Sequence, residues 1–289
     1  SCNPVATVPD QNAIIRGLKR DDLFTTVFEQ VMTDTAQFAD VILPAATFLE
    51  QREIRRGYGS YVVGGIQPTI APEGETRPNE EVFAELGRAM GWDDPQFSWS
   101  SDMFFDKTVA ALDLNGEGGN GDVLREGGIQ NIPFDEPGLV QFKTIFPKTA
   151  NGKVQLNPPC LGEKGYHFVP VKDDDFPLAL ISPATTKMVS STFGEFNYKT
   201  LKLNIHPDDA RARNIQNGEK VKVFNRLGEV VCFAAVTRQI RQGVVLLPKG
   251  AWMKSSQNGK TSTALCPDST DNVGGGACFN DARVEVETV

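Results

Sequence analysis

A chain of 289 residues and 31.5 kDa exceeds the roughly 250 residues at which one hydrophobic core stops growing, so two folded units are expected. Its 40% hydrophobic, 23% charged and 9% aromatic residues exclude collagen, coiled coil and wholesale disorder, and no apolar run approaches the roughly 20 residues of a membrane-spanning helix. The net charge of −8 argues against a nucleic-acid partner, which needs a basic face to neutralise phosphates.

Ser1-Cys2-Asn3-Pro4 has neither the basic nor the apolar segment of a signal peptide, and the missing initiator Met leaves room for a preceding leader or domain. The first hundred residues alternate between helical and extended patterns, as an α/β layer does. A helix is predicted over Asn12 to Arg20, a strand over Leu23 to Phe28, and a short buried strand over Asp40 to Leu43, stopped by Pro44. Asn79 reads as the N-cap of a helix with Glu80 and Glu81 in its first turn. Val82, Phe83, Leu86, Ala89 and Met90 form its apolar stripe and Gly91 its stop. A helix over Ser101 to Asp113 precedes a Gly-rich surface loop, Gly116 to Gly121.

Residues 139–175 read as a connector, with a turn and strand at Gly152-Lys153-Val154-Gln155-Leu156. Short apolar strands then recur at Pro177 to Ile181, Lys220 to Phe224, Val230 to Val236, Val244 to Leu247 and Arg283 to Val286. Asn217-Gly218, Leu227-Gly228 and Gln242-Gly243 divide them, which predicts a small barrel or sandwich. One helix interrupts it at Asp208 to Arg213, begun by Pro207.

Charge is uneven: residues 1–175 carry 27 acidic and 15 basic side chains, net −12, and residues 176–289 carry 10 and 14, net +4. A basic C-terminal half suits an anionic ligand, although scattered surface charge explains it equally well. The five cysteines form no Cys-x-x-Cys pair, so no zinc or iron–sulfur ligation is readable and they read as reduced thiols. Cys232 falls in an apolar run and reads as core, whereas the others sit beside Pro or Gly and read equally well as exposed. The two histidines, His167 and His206, read as structural. Nucleotide, phosphate, metalloprotease and hydrolase motifs are all missing, so any chemistry comes from a cofactor.

Three sets of polar or Gly-bearing turns lie at the ends of apolar strands. They are Asn3-Pro4 with Thr33-Asp34-Thr35-Ala36 and Ala39-Asp40, then Ser182-Pro183-Ala184-Thr185-Thr186, then Pro248-Lys249-Gly250 with Gly274-Gly275-Gly276. In this order they resemble the molybdopterin oxidoreductase family. Asn3-Pro4-Val5, Asp22-Leu23-Phe24 and the run Thr33 to Ala45, with Glu50 after it, are similar to the family's Thr-Ala-x-x-Ala-Asp-x-x-Leu-Pro stretch. Gly152-Lys153-Val154, Asn204 to Ala210 and Gly275 to Asp281 with Val284-Glu285-Val286 carry the resemblance to the end of the chain.

The resemblance implies a partial, Rossmann-like α/β layer over 1–138, the connector over 139–175, and a β-rich double-psi barrel over 176–289. It implies molybdopterin guanine dinucleotide, carrying molybdenum or tungsten, as cofactor. The metal ligand and any iron–sulfur cluster belong to N-terminal domains of the same enzyme, which with an electron-transfer subunit would be this chain's partners. Asn3, Thr35 and Asp40 match cofactor-contacting motif positions; Thr35 as an N-cap and Asp40 as a strand-end turn are the competing readings. Ser182, Ala184 and Thr185 stand where the family often has Thr-Gly-Arg, so hydroxyls and backbone N–H groups replace an Arg. Pro207 and Asp208 open a helix facing the ligand or merely cap it; Lys249 and Asn280 are the remaining cofactor-binding candidates. Thr263 to Asp268 aligns with a family stretch that often begins with Asn and has Thr at the position of Cys266. The alternative function is a structural or assembly module of the same architecture that binds no metal cofactor.

Overall fold

The structure, a computed structural model, describes residues 2–112, 121–131, 138–167, 170–196, 200–271 and 273–289. Of the Gly-rich loop Gly116 to Gly121, only Gly121 lies within the described residues, and Asp113 also falls outside them. In chain order the first elements are α1 (Pro4–Thr7), α2 (Gln11–Leu18), β1 (Thr26–Glu29), β2 (Val41–Pro44), β3 (Glu53–Arg56) and β4 (Val62–Ile66). α3 (Asn79–Ala89), α4 (Ser101–Ala111), α5 (Gly121–Arg125), β5 (Ile129–Asn131) and β6 (Leu178–Ile181) follow. Last come β7 (Lys202–Ile205), α6 (Pro207–Ala212), β8 (Lys220–Phe224), β9 (Glu229–Val236), β10 (Val244–Leu246) and β11 (Arg283–Thr288). Two compact units result, Ser1–Ile42 with Leu156–Val289, and Leu43–Gln155.

The first unit is built on a closed barrel of strand order β10-β6-β11-β8-β9-β7. β10 runs parallel to β6 (Val245 opposite Leu180) and β7 parallel to β9 (Leu203 opposite Ala234), while the remaining neighbours are antiparallel. Alternation drives closure: in β8, Val221 and Val223 are fully buried while Lys220 is exposed. Leu178, Leu180, Leu203, Ile205, Val230 and Val245 meet these valines in one apolar core, each worth about 1.5–3 kcal/mol when fully buried. Five of the six barrel strands coincide with predicted ones; β7 went unpredicted because Lys202-Leu203-Asn204-Ile205 is short and half polar. α6 is the predicted helix, capped by His206, whose Nδ1 accepts from the Asp208 N–H at 3.2 Å.

α2 also matches its prediction, with the Asp10 carboxylate accepting from the Ala13 N–H at 2.9 Å. β2 departs from expectation, since Val41 and Ile42 are 39% and 41% exposed rather than buried. It belongs to a two-stranded ribbon with β1, and a ribbon shields neither face.

The second unit carries the antiparallel sheet β3-β4-β5 and the helices α3, α4 and α5 around Val63, Phe105, Val109 and Leu124. Gly65 lets α5 seat on β4: a Cβ there would lie 1.8 Å from the Leu124 carbonyl oxygen, and its N–H donates to Gly128 O at 2.9 Å. Asn79 is the first helical residue rather than the N-cap; Pro78 holds that position without a side-chain bond. The predicted apolar stripe is also only partly used. α3 packs through Val82, Ala84 and Gly87, where the Phe97 ring needs glycine, and leaves Phe83, Leu86 and Met90 exposed. The expected strand at Val154 to Leu156 does not form; only the turn at Gly152 does. Glu50, 8% exposed, accepts the Thr47 and Glu73 N–H groups at 2.7 Å each and the Thr76 hydroxyl at 2.9 Å, bonds that hold its carboxyl down at about 2.

Candidate functional site

β6 and β10 are parallel, so the loops leaving their C-terminal ends emerge side by side. Their ladder continues into those loops, with Leu247 N–H on Ile181 O at 3.1 Å and Lys249 N–H on Pro183 O at 3.2 Å. Ser182 is 4% exposed, and its N–H donates to Asn280 Oδ1 at 3.0 Å, yet its Oγ has no oxygen or nitrogen partner, its polar neighbour being the Cys266 thiol. Thr185 closes a turn with Met188 through N–H to O bonds of 3.0 and 3.2 Å, and its buried Oγ1 is also unpartnered. Ala184 stands exposed between them. Lys249 Nζ sits over the Phe279 ring at 5.1 Å. Ser182, Ala184, Thr185, Lys249 and Asn280 therefore converge on one group of loops, rich in hydroxyl and ammonium donors and suited to an oxyanion.

Asn3 and Thr35 form a second group. Asn3 is 5% exposed, and its Oδ1 accepts the Thr35 hydroxyl at 2.7 Å and the Thr35 N–H at 3.2 Å. Thr35 holds the N-cap position of the 3-10 turn Ala36–Phe38, as one reading expected, but caps it with no side-chain bond: its Oγ1 accepts the Val5 N–H at 3.2 Å, and Thr33 Oγ1 takes the Ala36 N–H at 3.2 Å. Asn3 Nδ2 is buried without a partner. Neighbouring Asp34, 1% exposed, accepts the Met253 N–H at 2.7 Å. Burial lifts its carboxyl above the ordinary range, partly offset by that N–H and by Lys254.

The segment from Lys249 to Met253 thus runs from the first group to the second. It is held by Trp252 Nε1 donating to Ser191 O at 2.9 Å and by Gly250 at φ +81°, where a Cβ would lie 2.5 Å from Ser191 N.

Among the described residues the other three candidates form no hydrogen bond with either group. Asp40 is exposed and accepts the Thr25 N–H at 2.7 Å, returning its own N–H to Thr25 O at 2.8 Å. Pro207 starts α6, and Asp208 pairs with Arg211 at 2.7 Å on the helix surface. Gly274-Gly275-Gly276, expected to face a ligand, instead closes on an internal carboxylate. Asp271 accepts the N–H groups of Val273, Gly274 and Gly276 at 2.9, 2.6 and 2.6 Å, which hold its carboxyl below the usual range.

Sequence reading missed three residues here. Cys266, read equally well as exposed, is fully buried; its thiol donates to Ser262 O at 3.2 Å, and burial pushes it up to about 11 despite the adjacent Ser182 hydroxyl and Lys249. Asp34 lay inside the quoted Thr33 to Ala36 motif, which was the available signal. Buried Asp209, read only as a helix-start acid, accepts the Gly243 N–H at 2.7 Å and ties α6 to the approach to β10. Cys232 is core, as expected, its thiol pushed up to about 12 by burial. Among the described residues no helix is long and apolar enough to cross a membrane.

A closed barrel whose paired loops present buried hydroxyls, preceded by the Asn3 and Thr35 knot, suits an oxygen-rich ligand. Comparison with known proteins identifies the family. Residues 181–283 match the family described as "Molydopterin dinucleotide binding domain", and residues 1–89 match "Molybdopterin oxidoreductase". The chain belongs to the molybdopterin oxidoreductase family. It is 30% identical to the probable oxidoreductase YoaE of Bacillus subtilis over 99% of its own length and 43% of that protein. It is 25% identical to the trimethylamine-N-oxide reductase of Haemophilus influenzae over 94% of its length and 37% of that protein. Its fold is similar to that of acetylene hydratase from Pelobacter acetylenicus, with a TM-score of 0.76 and 17% identity over 99% of this chain and 43% of the other. The chain therefore spans less than half the length of these relatives.

Proposed function

We propose that this chain is the cofactor-enclosing C-terminal portion of a molybdenum or tungsten bis-pterin oxidoreductase, and that its first unit holds molybdopterin guanine dinucleotide. The observation that carries the reading is a set of three buried, unpartnered polar atoms at motif positions: Asn3 Nδ2, Ser182 Oγ and Thr185 Oγ1. Each costs about 1–3 kcal/mol while unsatisfied, and an oxygen-rich dinucleotide would satisfy all three. The residues present fit the group.

Ser182, Thr185 and Asn280 hold and orient phosphate or pterin oxygens, the exposed backbone at Ala184 admits them closely, and Lys249 leaves the Phe279 ring to supply the counter-charge. Asn3 donates through Nδ2 while Thr35 locks its orientation. Asp40, Pro207 and Asp208 are kept as cofactor-binding candidates on their motif positions alone, Asp40 and Asp208 being engaged by Thr25 and Arg211. The bound cofactor supplies two-electron chemistry at its metal. This chain's part is to bind, orient and shield it, so alone it turns over no substrate. Metal ligand, iron–sulfur cluster and electron-transfer subunit lie elsewhere in the longer enzyme. The parallel pairs β6/β10 and β7/β9 within one closed barrel support the double-psi reading of 176–289, after the connector over 139–175, whereas the antiparallel order β3-β4-β5 lends the Rossmann-like reading of 1–138 no support.

The test is pterin release. Full-length protein captured from its source with an antibody to this chain is oxidised with acid and iodine, then scanned for pterin fluorescence and guanine nucleotide. Both signals are expected. Intact folded protein yielding neither overturns the proposal and leaves the cofactor-free structural module.

A further inference from the structure

We infer that Asp34 is a positioning residue for the cofactor: through Met253 it fixes where Lys249 stands relative to the Asn3 and Thr35 pair. The inference rests on the cofactor reading above and adds to it a residue that acts through its neighbours. Asp34 is 1% exposed, and among the described residues its one hydrogen bond comes from the Met253 N–H at 2.7 Å. Taking a carboxylate out of water for a single backbone donor is costly. Local turn-making does not explain it, because Thr33 Oγ1 takes the Ala36 N–H at 3.2 Å and the Thr35 hydroxyl is given to Asn3. What the carboxylate does achieve is a join. Among the described residues it makes the one hydrogen bond between residues 33–36, which carry Thr35, and residues 249–253, which carry Lys249.

Both sides of that join are rigid. On one side, Thr35 is tied to Asn3 Oδ1 through its hydroxyl at 2.7 Å and its N–H at 3.2 Å, and the Thr33 N–H donates to Val31 O at 2.8 Å. The backbone carrying Asp34 is therefore fixed on both flanks. On the other side, the chain from Met253 back to Lys249 has little freedom. Trp252 is 4% exposed and Ala251 fully buried, and a Cβ added at Gly194 would lie 1.9 Å from the Trp252 Nε1 that donates to Ser191 O. Gly250 is pressed on the Ser191 backbone, and the Lys249 N–H is bonded to Pro183 O at 3.2 Å. Close-packed segments of this kind pass a displacement along rather than absorb it. Lys254, whose Nζ donates to Glu195 O at 3.0 Å, supplies positive charge near the buried carboxylate. A ligand that engages both Asn3 Nδ2 and the Lys249 ammonium needs those donors at a set separation before it arrives, and the Asp34 to Met253 bond sets it.

Cofactor retention in the full-length protein decides it, measured as pterin per folded molecule after gel filtration. Asp34→Ala removes the acceptor and Met253→Pro removes the donor. Proline suits that position, the first of a 3-10 turn, because Trp252 before it is already extended at φ −86° and ψ 156°. Each variant is expected to lower retention about fivefold, the worth of one hydrogen bond, whereas Asp34→Asn keeps an acceptor oxygen and should stay within about twofold of the unaltered protein. Because Asp34 acts through Lys249, Asp34→Ala should lower retention no further in a Lys249→Ala background, as a merely structural loss would. Undiminished retention in folded Asp34→Ala or Met253→Pro protein overturns the inference. So do losses that add to that of Lys249→Ala, or an Asp34→Asn loss as large as that of Asp34→Ala. Unaltered protein without pterin overturns the cofactor reading and this inference with it, whereas pterin held by the unaltered protein and by all the Asp34 and Met253 variants overturns this inference alone.

Discussion

The barrel unit and the 43–155 unit solve the same problem to different degrees. The barrel joins its six strands into a ring, so it has no sheet edge, and its apolar face is enclosed. The 43–155 unit keeps a smaller core around Val63, Phe105, Val109 and Leu124, an open edge at β3, and aromatic side chains in solvent. The difference teaches that self-sufficiency and assembly are written in separate parts of one chain. Buried polar atoms without partners remain in both units, among them Asn3 Nδ2, Ser182 Oγ and Thr185 Oγ1 in the first and Gln51 Oε1, Gln67 Nε2 and Gln130 Oε1 in the second, and it is those of the first that fall at motif positions.

Core truncation should separate the units most strongly. Leu203→Ala in β7 and Leu124→Ala in α5 remove side chains that are both fully buried. The first is expected to cost about 3–5 kcal/mol and the second about 2–3, because a small core relaxes around a cavity more readily. Denaturant melts read from Trp252 in one unit and Trp99 in the other, in single-tryptophan variants, would show it; equal losses would erase the contrast. Gly250→Ala should come next, at about 1–3 kcal/mol in the Trp252 melt, from a left-handed φ and a Cβ pressed on the Ser191 backbone.

Acid response sharpens the comparison because two buried carboxylates have opposite signs. Asp34 has a raised pKa in the folded barrel unit, so the native state holds its proton longer and the unit loses stability as pH rises through that folded value. Glu50 has a lowered pKa of about 2, so its contribution is present above the unfolded value near 4.5 and is lost as pH falls toward 2. Asp34→Asn should therefore flatten the loss on raising pH in the Trp252 melt. Glu50→Gln should flatten the loss on lowering pH in the Trp99 melt. Slopes of the same sign in the two units would contradict this. The smallest effect is expected from Ser182→Ala, a gain of about 1 kcal/mol or less for folding of the chain alone, since it removes an unsatisfied buried hydroxyl and the small void left behind offsets part of that gain.

The barrel was legible because period-2 alternation, as in Lys220 to Phe224, and Gly turns are local signals. The first half was less so. Asp40 to Leu43 reads as buried from its apolar composition, but burial needs a second layer, and the β1–β2 ribbon leaves Val41 and Ile42 exposed. Phe83, Leu86 and Met90 misled for the same reason: helical spacing marks an apolar face without saying whether this chain covers it. At the site, motif positions brought out Asn3, Ser182 and Thr185, yet no sequence pattern could show that their polar atoms lack partners. Asp271 makes the converse point, since glycines that look like a ligand cradle are filled by a carboxylate three residues before the first of them.

The most direct test of the central claim pairs Ser182→Ala with Thr185→Val in the full-length protein and measures pterin and guanine nucleotide retained per molecule after gel filtration. Retention at least tenfold below that of the unaltered protein, with the barrel's melt unchanged, is the predicted result. Undiminished retention in a folded double variant would contradict it and remove the loop after β6 from the cofactor site.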